Sequence, residues 1–294
     1  MMKLTQQTLI FEVSNRLRSL FVPRFDRKIA YIHIPKCGGV SISKALKACY
    51  ISPNLRDDTL YKLDSVACLK ASQAITNEPL QVGHPEVTRL REALLMYGMS
   101  QNQVRYISGH FQFSLAAYHQ FQHEYGFLTV LRDPVKRWVS AYFYNRYKDY
   151  GNAQTELEID EYLESEAAQR SAKTYARCLC GLVETQGYSN RELTEKAKEN
   201  LHKFDLVGCT EYLDVFVEQF YARYKRRLSV GRWNQNPKST AYQKSVLSDA
   251  VLDRVRELCQ LDMEIYNYAV EQFIAPQQLS SAEQKPLVVS SSSR

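Results

Sequence analysis

The sequence predicts an α/β protein with a mostly parallel central sheet flanked by helices. Three observations predict it: four short apolar runs have the length and flanks of strands, helical patterns lie between them, and a glycine loop joins the first run to its helix. The runs are Lys28 to Ile34, Val104 to Ser108, Phe127 to Leu131 and Phe204 to Cys209. Strands that alternate with helices give a sheet covered on both faces, and ligands then collect at the carboxyl ends of the strands. Composition agrees, since 294 residues with 45% hydrophobic and 24% charged are enough for a full core and exclude disorder as the dominant state.

Taken in order, residues 4–22 carry Leu9, Ile10, Val13, Leu17, Leu20 and Phe21 at near-helical spacing until Pro23 closes the pattern. Residues 1–27 therefore read as an N-terminal amphipathic helix. Packing on the body is favoured over a peripheral membrane contact through Arg16, Arg18 and Arg24. Residues 28–275 form the main domain. The first strand stops at Pro35, two glycines follow, and Ser41 to Tyr50 reads as a helix. The stretch Pro53 to Gly98 is mixed and less periodic, and Gly151 to Asn200 reads as helical and polar, so both are candidate insertions for binding an acceptor. Ser248 to Ala269 reads as one long helix, with Val251, Val255, Leu258, Leu261, Ile265 and Tyr268 on its apolar face. The Ser-rich tail, residues 276–294, reads as disordered.

No stretch approaches ~18 consecutive apolar residues, and the first thirty lack the apolar run and cleavage site of a signal peptide, so a cytoplasmic protein is expected. The seven cysteines form an odd set without a C-x-x-C pair, which fits reduced thiols and neither a disulfide framework nor a zinc site. His119 and His123 stand at helical spacing but lack a further ligand, so no metal is expected. A net charge of +6 favours anionic partners without reaching a nucleic-acid-binding composition. The basic run Arg223, Lys225, Arg226, Arg227 and Arg232 reads first as a solvated helix face and second as a guide for a polyanion.

Chemistry concentrates in two places. Pro35-Lys36-Cys37-Gly38-Gly39-Val40-Ser41 lies between a strand and a helix, where glycines let the backbone approach a ligand and the helix start offers free N–H groups to an anion. A Walker A loop carries its Lys after the second Gly, whereas Lys36 precedes the glycine pair, so ATP hydrolysis is disfavoured. After the third predicted strand, Asp133 and Pro134 start a helix as N-cap and first helical residue. Arg132 then stands at the sheet's ligand edge. Arg137, Ser140 and Tyr144 share one face of that helix, with a surface ion pair the favoured reading for Arg137. An Arg fork beside a hydroxyl suits a phosphate dianion.

Together, Ile32-His33-Ile34-Pro35-Lys36-Cys37-Gly38-Gly39-Val40-Ser41 and Val130 to Tyr142 resemble the two cofactor motifs of sulfotransferases that use 3′-phosphoadenosine 5′-phosphosulfate (PAPS). The resemblance spans roughly residues 28–270 and leans to the carbohydrate branch that includes heparan sulfate 2-O-sulfotransferases and bacterial members. It implies a three-layer sandwich like that of the P-loop NTPases. It implies further that Lys36 is the catalytic lysine, that Lys36 through Ser41 hold the 5′-phosphosulfate, and that Arg132 and Ser140 hold the 3′-phosphate. Tyr106 to Phe111 resembles the strand end that carries the branch's general base, which matches His110. Asn234 to Ser245 matches a nucleotide-covering loop. Cys37 stands where the animal carbohydrate enzymes commonly have Thr, which leaves backbone N–H groups to replace one hydroxyl donor.

The expected reaction is metal-free, in-line transfer of a sulfuryl group to a hydroxyl or amine, with a carbohydrate as the leading acceptor and a small molecule next. An ATP-dependent small-molecule kinase is disfavoured by the loop pattern and the lack of a clear strand-end Asp for magnesium. A non-catalytic nucleotide- or polyanion-binding module is disfavoured by the presence of both Lys36 and His110.

Overall fold

In the computed structural model, which describes residues 25–50, 59–148, 153–231 and 240–276, five strands form one sheet with every neighbouring pair parallel. They are β1 (Lys28–Ile32), β2 (Leu60–Leu63), β3 (Tyr106–Gly109), β4 (Tyr125–Leu131) and β5 (Leu206–Cys209), in the spatial order β2-β3-β1-β4-β5. The predicted fold class is borne out. β2 escaped the sequence reading because it is a four-residue edge strand with only Leu63 buried, so no apolar run marks it.

Strand alternation sends successive side chains to opposite faces. Ile29 and Tyr31 of β1 and Leu128 and Val130 of β4 join one core, which α1 (Gly39–Ala48) and α10 (Leu213–Tyr224) cover through Ile42, Leu46, Phe216 and Phe220. Ala30 and Ile32, with Phe127 and Leu131, join the other core. That face is covered by α3 (Pro85–Ser100), α4 (Leu115–Phe121), α8 (Thr174–Leu179), α9 (Asn190–Leu201) and α13 (Gln260–Ala269). α2 (Ser65–Thr76) follows β2 and packs on α3. A third cluster joins Trp138, Tyr142 and Phe143 of α5 (Pro134–Tyr147) to α6 (Ile159–Leu163), α7 (Glu166–Ala172) and α12 (Asp249–Leu258). Each fully buried large apolar side chain is worth about 1.5–3 kcal/mol, so this cluster fixes α5 firmly beside the sheet. The short helix α11 (Thr240–Val246) completes the set.

The single long helix expected over Ser248 to Ala269 is instead two, α12 and α13, separated at Cys259, whose ψ is 5°. The break accompanies a demand on Asp262. Its buried carboxylate accepts hydrogen bonds from Tyr175 and Ala176 N–H, at 2.9 and 3.2 Å, and so caps the start of α8 from a different helix. The polar Gly151 to Asn200 stretch is helical, as expected, in four short pieces. The amphipathic pattern of residues 4–22 and the Ser-rich tail from residue 277 onward lie outside the described residues.

Candidate functional site

The carboxyl ends of β1, β3 and β4 bring the glycine loop, His110 and Arg132 to one edge of the sheet. The turn begins at Ile34, whose carbonyl accepts from Cys37 N–H at 3.4 Å. Lys36 and Gly38 both have φ 68°, the left-handed region. For Gly38 this is free of strain, but a lysine held there costs of order 1 kcal/mol, a type of strain that clusters at ligand sites. Gly38 is also the N-cap of α1, so no side chain caps the first turn, and no acidic residue lies in that turn. The start of α1 thus has no side-chain cap, and its dipole favours an anion there. Gly39 packs so closely beneath His33 that a Cβ there would lie 1.8 Å from the imidazole. Val40 is half-buried and Ser41 buried in the first turn.

Arg132 reaches across from the end of β4, and its guanidinium donates to Lys36 O at 3.2 Å. The two motifs are therefore in direct contact. Lys36 extends its ammonium over the Tyr144 ring, 3.7 Å from the centroid, while Lys148 lies 5.5 Å from the same centroid. Burial, then the Arg132 and Lys148 charges, lower the Lys36 pKa to about 8. Such crowding of like charges is relieved by binding an anion. Asp133 caps α5 by accepting from Lys136 N–H at 2.9 Å, with Pro134 at the first helical position, as the sequence predicts. Ser140 is half-buried on α5, one turn before Tyr144.

His110 follows β3. Its Nδ1 lies 2.7 Å from His33 O, so Nδ1 carries the proton and Nε2 is left as the basic nitrogen. Burial lowers its pKa, offset in part by this hydrogen bond. The two imidazoles pack with centroids 4.3 Å apart. Burial and then His110 hold His33 well below the usual histidine range. His33 is thus a packed residue tying the base candidate to the glycine loop, a contact that a lone His on a strand gives no sign of.

Two residues depart from expectation. Arg137 is no surface ion pair: it is 2% exposed and donates to Ser171 O. Tyr175, unmarked in the sequence, joins the two motifs, since its hydroxyl is 3.4 Å from Cys37 Sγ and accepts from Arg132 N–H at 2.8 Å. Burial pushes the Cys37 thiol up to about 12, which keeps it neutral and unreactive near neutral pH. The basic run lies at the far end of the sheet. Tyr224 there meets Phe25, ahead of β1, with centroids 6.1 Å apart, and would be 2.4 Å from a Cβ on Gly126 at the start of β4. It is remote from the loops at the strands' carboxyl ends, and Arg232 lies outside the described residues. Among the described residues no His, Cys, Asp or Glu group could hold a metal ion, and no helix is long and apolar enough to cross a membrane. Of the covering loop, residues 234–239 lie outside the described residues and 240–245 fall in α11.

Residues 19–269 match the model of a family described as "Sulfotransferase family". No curated protein matches the chain.

Proposed function

The chain belongs to the sulfotransferase family, and from that premise we propose that it transfers the sulfuryl group of PAPS to a hydroxyl, with a carbohydrate as the acceptor. The observation that carries the reading is the contact between the two loops, Arg132 to Lys36 O at 3.2 Å, at an uncapped helix start. The residues fit such a nucleotide. An open N-cap at Gly38, a closely packed Gly39 and a cluster of Lys36, Arg132 and Lys148 suit a ligand with anionic groups at two positions.

Bound PAPS supplies an activated sulfur atom and a phosphate leaving group. In this reading Lys36 through Ser41 bind the 5′ end, and Arg132 with Ser140 bind the 3′-phosphate. His110 takes the acceptor proton at Nε2, which is unprotonated near neutral pH because Nδ1 holds the ring's single hydrogen. Lys36 offsets the negative charge that develops on the bridging oxygen. A site built this way needs no metal for charge neutralisation.

The test is calorimetry with 3′-phosphoadenosine 5′-phosphate beside ATP and adenosine 5′-phosphate, repeated on Arg132→Ala. Selective binding of the 3′-phosphorylated nucleotide, lost in the variant, is the expected result. Equal binding of all three nucleotides would overturn the cofactor assignment.

A further inference from the structure

The chemistry above leaves Tyr144 without a part, although it lies one turn beyond Ser140 and under the Lys36 ammonium. Lys36 leaves the loop from a backbone held at φ 68°, so the lysine's placement depends on what its flexible stem meets. It meets an aromatic face, with Nζ 3.7 Å from the ring centroid, well inside the range of a cation–π contact. The other charged groups near it are repulsive: Arg132 from the end of β4 and Lys148 from the end of α5. His33, at the end of β1, also senses the Lys36 charge. Lys148 is drawn aside by Asn145, donating to its Oδ1 at 3.1 Å, which leaves Lys36 as the ammonium closer to the ring. We propose that Tyr144 is a positioning residue, whose ring face holds the Lys36 ammonium beside Arg132 so that the lysine meets the reacting anion charged and in place.

The chemical logic is a balance of two opposed fields. Burial and two neighbouring cations drive Lys36 toward its neutral amine, with a pKa of about 8. The negative face of the ring opposes them, and an electrophilic lysine is useful only as the ammonium. Because the contact is to the ring and not the hydroxyl, phenylalanine should serve and leucine should not. The inference rests on the role given to Lys36, so its test needs a readout that does not depend on transfer.

That test uses Tyr144→Leu and Tyr144→Phe. The half-buried position on α5 tolerates either without a cavity in the main core. The direct readout is a carbon-13 NMR titration of the lysine ε-methylene groups, with Lys36→Arg used to assign the Lys36 signal. Tyr144→Leu is expected to lower the Lys36 pKa by about 0.4–1.5 pH units, and kcat by about 3- to 30-fold, with Tyr144→Phe close to the parent in both. Affinity for 3′-phosphoadenosine 5′-phosphate should fall by no more than that same factor in Tyr144→Leu and stay near the parent value in Tyr144→Phe, because Lys36 also belongs to the 5′ site and meets its anion as the ammonium. An unchanged Lys36 titration in Tyr144→Leu would overturn the proposal. So would a Tyr144→Phe variant as impaired as Tyr144→Leu, since that would assign the effect to the hydroxyl. If the parent shows no transfer from PAPS, the proposed function fails, and the titration still decides the contact.

Discussion

The Tyr175 hydroxyl bonds both backbone groups of Arg132, accepting from its N–H at 2.8 Å and donating to its carbonyl. The same oxygen lies 3.4 Å from Cys37 Sγ, so one buried side chain from α8 locks the end of β4 to the glycine loop. A cysteine in place of a hydroxyl residue at position 37 thereby gains a partner, since a weak thiol donor suffices beside a tyrosine oxygen.

Tyr175→Phe should consequently weaken nucleotide binding, although Tyr175 itself has no contact with the nucleotide in the proposed reading. The substitution leaves the Arg132 N–H and carbonyl without their partner in a partly buried setting, which costs up to about 1–3 kcal/mol for each group left unsatisfied. Urea denaturation should show a loss within that order, and calorimetry a fall in affinity for 3′-phosphoadenosine 5′-phosphate of roughly tenfold. An unchanged affinity would mean that Arg132 is held in place by β4 alone.

Asp262 supports Tyr175 from below, and its titration runs against habit. Burial raises its pKa from the ordinary carboxylate value to about 6, with the Arg137 charge and the two α8 N–H groups opposing. The folded state therefore binds this proton more tightly than the unfolded state does, so the contribution is fully present below about pH 4 and is lost as pH rises through about 6. Asp262→Asn keeps an acceptor oxygen for the α8 N–H groups and removes the titration. The stability of the parent relative to the variant should fall between pH 4 and 6, as measured by urea denaturation. A difference that does not vary with pH across that window would refute a raised carboxyl.

Gly39→Ala tests how the base candidate and the loop share space. The new Cβ would lie 1.8 Å from the His33 ring, and the ring cannot retreat freely because His110 packs against it at 4.3 Å between centroids. Overpacking of this kind costs about 1–3 kcal/mol, and here it also displaces the start of α1. Thermal melts should show the destabilisation, and the double variant His33→Ala with Gly39→Ala should recover most of it. Failure of the double variant to recover would place the clash elsewhere in the loop.

What could be read from the chain alone follows from how local the signals are. The β1 run, the Gly38-Gly39 turn and the Asp133-Pro134 helix start are each written in a few contiguous residues, and the structure has all three where expected. Arg132 and Lys36 could be named but not joined, since a contact between the two loops is a property of neighbouring strands β1 and β4. Tyr175 and Asp262 carry no local mark, because each serves a partner about ninety to a hundred and forty residues away along the chain. The burial of Arg137 is hidden for the same reason. Its acceptor, Ser171 O, belongs to α7, and a helical wheel of α5 cannot show a second helix lying across it.

Under the proposed reaction, the pH dependence of transfer follows from two depressed basic groups with opposite requirements. His110 must be neutral to accept a proton, and burial lowers its pKa from 6.5, so the rising limb of kcat/KM should lie below that value. Lys36 must be charged, and its pKa of about 8 in the free protein sets the falling limb of kcat/KM for the nucleotide. An anion bound beside Lys36 favours the ammonium, so in the profile of kcat that falling limb should move above 8 while the rising limb shifts little. Lys36→Arg, which stays charged at every accessible pH, should abolish the falling limb whatever its effect on rate. His110→Ala should lower kcat by about 10² to 10⁴ and remove the rising limb, leaving the alkaline side intact. A bell-shaped profile that survives in His110→Ala would mean that the acidic limb belongs to another group.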